Sequence, residues 1–397
     1  MVRTSSVVAV FAHSVVASAQ SYSNPPEPWG FFVNNTIYQP TGNQSVTYPR
    51  FTELQDGTIL ATTSFTGPVP PYFPVFESKD GGASWEYISD LTDQVNGWGM
   101  SAQPALSELL EDVGGFKAGT ILGAGNSWNR NGTRNGTHID LYASEDRGRT
   151  WQFVSNVASG GPPNTTNGAT PIWEPWIQNY KGAISVHYSD QRDPLHGQKL
   201  AHQVSYDLQT WGPVVDDVAI AEYMARPGMT VIAYIPPIAK YILVHEFPVG
   251  NSSSYGSHYP VYYVLADDPW SFRLHEHQPI VVQTANGSSK APNASPYVVW
   301  SPYGGELGTI VVSDADSSSV YTNRCGGCLD GWKEYATPAG AVYSRAIHIL
   351  GDYPDHLMIF GGEVYDDFGL HKLVPFSATV VDLGVIMGDK KGGWSDN

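Results

Sequence analysis

The chain has 397 residues, with 21 Lys and Arg against 38 Asp and Glu, a formal net charge of −17. So acidic a surface repels nucleic acid and anionic membranes, and neither is expected as a partner; a neutral substrate remains open. Glycine (41) and proline (29) suit a chain of many turns, while tyrosine (23) and tryptophan (12) either fill a β core or stack on flat apolar faces.

At the amino terminus, a basic start at Arg3 leads into a short apolar run from Ser5 to Val16, then Ala17-Ser18-Ala19 before Gln20. This is the pattern of a secretory signal peptide over residues 1–19, too short to span a bilayer. No later run is apolar for long enough to span one either. Export is further suggested by N-x-S/T sequons at Asn34, Asn43, Asn131, Asn135, Asn164, Asn251, Asn286 and Asn293, mostly in Gly/Ser/Thr-rich stretches. Cys325 and Cys328 stand in Cys-Gly-Gly-Cys. In the cytosol that spacing could be redox-active or half a metal site; in a secreted chain a local disulfide is expected.

From residue 20 onward, helical periodicity is nearly absent and short β-rich runs alternate with turn clusters. A repeat emerges as Gly57-Thr58-Ile59-Leu60-Ala61, Gly119-Thr120-Ile121-Leu122-Gly123 and Gly182-Ala183-Ile184-Ser185-Val186. Looser copies begin at Lys240, Gly308 and His356, making six units. In phase with it runs a second repeat, S-x-D-x-G-x-T/S-W: Ser78 to Trp85, Ser144 to Trp151, a shortened copy from Ser205 to Trp211, and a decayed Asp267-Asp268-Pro269-Trp270. This is the Asp-box. Its Ser and Asp bond back onto local amides, its Gly takes positive φ and its Trp packs beneath, so it holds a turn and carries no chemistry.

The expected fold is therefore an all-β, six-bladed β-propeller with Asp-box (BNR-like) repeats, in one domain over residues 20–397. With each box between the third and fourth strands, the innermost strands hold Tyr48-Pro49-Arg50, Gln103-Pro104-Ala105, Ile172-Trp173-Glu174, Arg226-Pro227-Gly228, Val298-Val299-Trp300 and Tyr343-Ser344-Arg345. The segment Trp29 to Val33 is expected to close the ring as the outer strand of the last blade.

Polar residues on inner strands should face the axis. Glu174 lies among aromatics and before Pro175, where an apolar setting would raise its pKa and suit a general acid. Glu246 ends the apolar strand Tyr241 to Phe247. Two carboxyls on neighbouring blades are what glycoside hydrolysis requires. Arg50, Arg226 and Arg345 share a phase at the inner strands and could bind substrate or clamp the carboxylates. Gln103, Trp173 and Tyr343 join them as substrate-binding candidates by position, with Asp190, which could bind a hydroxyl or simply form a turn. No phosphate loop, zinc spacing, EF-hand or G-x-S-x-G elbow appears, so neither cofactor nor metal is expected.

The strings Pro171 to Trp176, Tyr188 to Asp193, Arg226 to Met229, Trp211 to Val215 and Ser301-Pro302-Tyr303-Gly304-Gly305-Glu306 resemble the fungal exo-arabinanases of glycoside hydrolase family ninety-three, in order over nearly the whole chain past the leader. The resemblance implies release of arabinobiose, with retention, from the non-reducing end of linear α-1,5-L-arabinan by a secreted enzyme. It places the acid/base on Glu174 and the nucleophile on Glu246, the latter with looser flanking residues, and makes Tyr303 a substrate-binding candidate. The expected partner is linear arabinan or its oligosaccharides, and the expected state a monomer. Two other readings are a sialidase, whose nucleophile would be a Tyr and whose F-R-I-P string is missing, and a non-catalytic glycan-binding propeller.

Overall fold

The computed structural model of the chain describes residues 25–128, 136–248, 258–284, 286–363 and 373–392. The expected leader and the sequons at Asn131, Asn135 and Asn251 lie outside these residues. Six four-stranded antiparallel sheets are present. From the axis outward, blade one runs Ser45–Glu53, Ile59–Thr66, Phe73–Ser78 and Glu86–Leu91. Blade two runs Ala102–Glu108, Ile121–Trp128, Thr137–Ser144 and Gln152–Gly160. Blade three runs Ile172–Tyr180, Ala183–Asp190, Lys199–Ser205 and Val215–Val218, and blade four Gly228–Ile235, Lys240–Glu246, Val261–Ala266 and His277–Pro279. Blade five runs Tyr297–Ser301, Thr309–Ser313, Ser319–Asn323 and Trp332–Ala336.

Blade six is built from both halves of the chain. Ile347–Ile349, His356–Gly361 and Phe376–Asp382 are completed on the outside by Phe32–Tyr38, with Phe32 opposite Val380 and Tyr38 opposite Phe376. The ring is thus closed by the amino-terminal strand, as the repeat phase implied, though at Phe32–Tyr38 rather than Trp29 to Val33. First strands of successive blades touch one another around the axis. Their second strands are the buried ones: Ile59 to Phe65, Ala183 to Asp190 and Thr309 to Ser313 have no exposed residue, because both faces of a blade pack on neighbours. Among the described residues no helix is long and apolar enough to cross a membrane.

The innermost strands hold four of the six expected triplets. The other two sit slightly earlier: Arg226 and Pro227 precede the strand that starts at Gly228, and Tyr343 to Arg345 precede Ile347–Ile349.

The Asp-boxes hold the turns as their chemistry requires. In the second, Asp146 accepts from the Thr150 amide (2.8 Å), the Thr150 hydroxyl (2.7 Å) and Ser144 Oγ (2.8 Å), while Ser144 Oγ accepts from Gly148 N–H (2.7 Å). Its Trp reaches beyond its own blade. Trp151 Nε1 donates to Ser89 Oγ on blade one at 3.1 Å, and Trp211 Nε1 donates to Ser155 Oγ on blade two at 2.9 Å. In the shortened third copy Leu208 occupies the left-handed region (φ 62°), and the amides of Thr210 and Gln209 hold the Asp207 carboxyl down to about 2. Blade five uses a different device at the same turn. Cys325 and Cys328 are disulfide-bonded, and Asn323 Oδ1 accepts from the amides of Cys325 (3.0 Å) and Gly327 (2.8 Å).

Replacing Asp146 by Ala orphans two backbone amides in a tight turn. It is expected to destabilise the protein by about 1–2 kcal/mol, seen as a lower Tm.

Candidate active site

The head of each innermost strand carries a backbone kink. Tyr48 (φ 56°), Gln103 (φ 59°), Glu174 (φ 61°), Met229 (φ 64°), Ser295 (φ 43°) and Ser344 (φ 57°) all adopt left-handed backbone on blades one to six in turn. In the first four blades the ladder slips at this point, between Thr47 and Arg50, Ala102 and Ala105, Trp173 and Trp176, and Gly228 and Val231. These are β-bulges, which re-aim a side chain at the cost of local pairing. A non-glycine residue held at positive φ costs of order 1–3 kcal/mol, and such strain gathers at functional sites.

Glu174 is one of these kinked residues. Its amide donates to Gln103 Oε1 and to Asn126 Oδ1, each at 3.1 Å. Its carboxylate accepts from Ser189 Oγ at 2.7 Å and from the Met229 amide at 2.9 Å. Glu246, at the end of the second strand of blade four, accepts from the Ser295 amide at 2.9 Å. Each carboxyl is thus fixed by the kink of the next blade. Both residues are half-buried. A Cβ on Gly228 would lie 3.5 Å from Glu174 Oε2 and 3.5 Å from Glu246 Oε1. The two oxygens are therefore no farther apart than twice that distance, across a floor that only hydrogen leaves open.

Proximity and burial couple their protonation. Burial, reinforced by the charge of Glu174, pushes Glu246 up to about 8. Burial raises Glu174 as well, against the bonds from Ser189 and Met229 and the charges of Arg226 and Arg50. Two such groups titrate as a pair, each opposing the ionisation of the other.

The other expected residues divide sharply. Arg226 belongs to the site: Nη1 donates to Asn167 Oδ1 (2.6 Å), and Nη2 donates to Gln191 Oε1 (3.0 Å) and Gln198 Oε1 (2.9 Å), with its charge acting on both carboxyls. Arg50 lies deeper, 3% exposed, with its guanidinium 4.0 Å over the Tyr48 ring and 5.3 Å from that of Tyr297. Its charge acts on Glu174. Gln103 supports the Glu174 backbone, and Trp173 is pinned by Nε1 to Gln191 Oε1 at 2.8 Å. Tyr343 accepts the Tyr48 amide on its carbonyl (3.1 Å), and the two rings meet edge to face.

Three expectations need correction in their geometry. Arg345 does not join the carboxylates; it is fully buried and bonds backbone carbonyls of Gly340 and Ser319. The arginine trio is therefore a pair. Tyr303 lies in the hairpin between the first and second strands of blade five, at the opposite end of these strands from Glu174 and Glu246. There it packs against Gly384 and places its ring 5.3 Å from Lys390 Nζ. Asp190 is committed to a clasp, accepting from Arg192 Nε (2.9 Å), Nη2 (2.7 Å) and N (2.8 Å).

Sequence reasoning passed over Tyr48, Ser189, Gln198 and the amides of Met229 and Ser295. Tyr48 is 2% exposed, and burial raises its hydroxyl far above the usual range, partly offset by Arg50. Among the described residues, one group could hold a metal ion: His187, His202 and Asp217, buried within blade three. There both Nδ1 atoms bond the Asp217 carboxylate at 2.8 Å, which ties three neighbouring strands together.

The raised pKa of Glu246 has a stability consequence. Its folded value lies above the unfolded one, so the folded chain binds more protons between about pH 4.5 and 8, and stability falls as pH rises through that window. Glu246→Gln is expected to raise Tm by a few degrees at pH 8, a gain that shrinks to nothing near pH 4 in calorimetric scans.

No family model and no curated protein matches the chain. Solved structures do. An α-L-arabinofuranosidase of glycoside hydrolase family 93 from Fusarium graminearum, in complex with arabinobiose, is 42% identical, with a TM-score of 0.84 over 90% of this chain and 99% of that one. An α-L-arabinanase from Penicillium chrysogenum, also complexed with arabinobiose, is 39% identical with a TM-score of 0.82 over the same shares. The NanB sialidase of Streptococcus pneumoniae, at 10% identity and a TM-score of 0.58 over 89% of this chain and 71% of its own, shares the fold alone. A paired-carboxylate channel in a six-bladed ring, on a sequence this similar over nearly its full length, makes the chain a member of glycoside hydrolase family 93.

Proposed function

We propose that the chain is a secreted, retaining, exo-acting glycoside hydrolase, whose single catalytic domain over residues 20–397 acts as a monomer to release arabinobiose from the non-reducing end of linear α-1,5-L-arabinan. The observation that carries this reading is the pair Glu174 and Glu246, both within 3.5 Å of one point above Gly228, in a chain 42% identical to an arabinobiose-bound family member.

In the first step Glu246 attacks the anomeric carbon while Glu174 protonates the departing oxygen. In the second, Glu174 takes a proton from water, which displaces the sugar from Glu246. Retention calls for carboxyl groups roughly 5–5.5 Å apart, and the bound set by Gly228 accommodates that spacing. Arg226 favours ionised Glu246 and, with Gln191 and Gln198, is already oriented for sugar hydroxyls. The reactive form of the pair has its one proton on Glu174.

The sialidase reading is not favoured. A sialic acid carboxylate needs converging guanidiniums, and Arg345 is turned into the protein. Tyr48, on which both carboxylates act by charge, is too buried and too weakly acidic to serve as nucleophile.

Chromatography of debranched-arabinan digests should show arabinobiose as the first and main product; a ladder of longer oligosaccharides would refute exo action. Glu246→Ala should lower kcat by about four orders of magnitude. Glu174→Gln removes the charge that raises Glu246. On an aryl arabinobioside with a good leaving group, the acid limb of its pH profile should move to lower pH and the alkaline limb should vanish. Export would expose the sequons to glycosylation. Asn34, Asn43, Asn164 and Asn286 are exposed, whereas Asn293 has its amide bonded to Asp316 and its Oδ1 to the Tyr259 amide at 2.5 Å. Glycopeptide mass spectrometry of the secreted protein should find Asn293 unmodified and sugar on members of the exposed set.

A further inference from the structure

A groove of about 550 Å³ opens between the loops of blades one and two, lined by Thr66, Pro68, Pro71, Trp98, Ser101 and Trp128. Ligand pockets typically occupy about 300–1,000 Å³. The groove meets the catalytic centre through Trp128, whose ring packs edge to face on that of Trp173, centroids 5.4 Å apart, and Trp173 is the residue before Glu174.

The groove is built, not incidental. The Asp93 carboxylate accepts from four amides in succession, those of Val95 (2.9 Å), Asn96 (2.8 Å), Trp98 (2.8 Å) and Gly99 (2.9 Å). This cage fixes the backbone of Trp98. Ser127 Oγ also reaches Asp93, at 3.3 Å, tying the cage to the strand that carries Trp128. Ser101 Oγ both donates to the Trp128 carbonyl (3.1 Å) and accepts from its amide (3.2 Å). The facing loop is stapled on by the Met100 amide, which donates to the Pro71 carbonyl at 2.8 Å. Gly99 is needed there, since a Cβ would come within 2.5 Å of Pro71. Both tryptophans keep part of their rings exposed. Two half-exposed indoles on a rigid frame form a stacking platform whose ordering cost is met on folding.

We propose that this groove binds the leaving part of the arabinan chain, with Trp128 next to the scissile bond and Trp98 farther out as a sugar-stacking, specificity-determining residue. The direction follows from the acid. Glu174 must protonate the oxygen between the cleaved disaccharide and the rest of the polymer, so the polymer departs along the flank of Glu174. The groove lies on that flank, while Glu246 sits on the other side, on blade four. The proposal rests on Glu174 being the acid and on the arabinan reading.

The test compares kcat/KM for arabinotriose and arabinohexaose in the wild type and in Trp98→Ala and Trp98→Phe. Trp98→Ala should lose about five- to tenfold on arabinohexaose and nothing on arabinotriose, which is too short to reach the outer platform. Trp98→Phe should restore most of the loss. Equal loss on both substrates would place Trp98 on the disaccharide side and overturn the proposal, as would no loss on either. Failure of the arabinan reading is seen separately, as a wild type that cleaves neither substrate.

Discussion

The architecture of the site depends on a kink that recurs at the head of every innermost strand. A regular ladder would send alternate side chains into the two faces of each blade, where neighbouring blades pack. The left-handed residue breaks that alternation. It turns Glu174 and Gln103 toward the axis, and it presents the amides of Met229 and Ser295 as donors to carboxylates of the preceding segments. Strain at one blade is therefore bonded to the functional group of another. The energy that holds these conformations comes from the ring as a whole, whose second strands carry no exposed residue.

Within that frame, burial and charge act in opposite directions on the same two carboxyls. Burial alone would leave both protonated, and Arg226 alone would ionise both. Their mutual repulsion adds to burial in opposing the second ionisation. Arg50 contributes as well, held between aromatic faces at Tyr48 and Tyr297, so its charge is felt at Glu174 without its guanidinium occupying the sugar position.

Much of this was legible in the residues. The Asp-boxes and the strand repeat set the phase of the blades, and Glu174 and Glu246 stand out because apolar or aromatic segments deliver them. What was hidden is the kink, because left-handed backbone falls here on Tyr, Gln, Glu and Ser rather than on Gly. A partial signal exists: Pro49, Pro104, Pro175 and Pro296 each follow a kinked residue. Counting from the kink also explains the arginines. Arg50 comes two residues after it, Arg345 one after, and Arg226 three before, so positions that look equivalent along the strands point in different directions. Tyr303 failed for a topological reason. It follows an innermost strand instead of leading it, and such hairpins emerge at the end of the ring that bears the boxes.

The last blade is woven from the two ends of the chain, Phe32–Tyr38 lying beside Phe376–Asp382. During synthesis the amino-terminal strand must wait, with its edge unpaired, until nearly every other strand has been made. For that interval the growing chain is an open arc whose end blades each leave one face uncovered, and the catalytic pair on blades three and four is complete in sequence before the ring around it can close. The seam therefore cannot form until both of its strands exist, and it is a place where an arc could pair with a second arc.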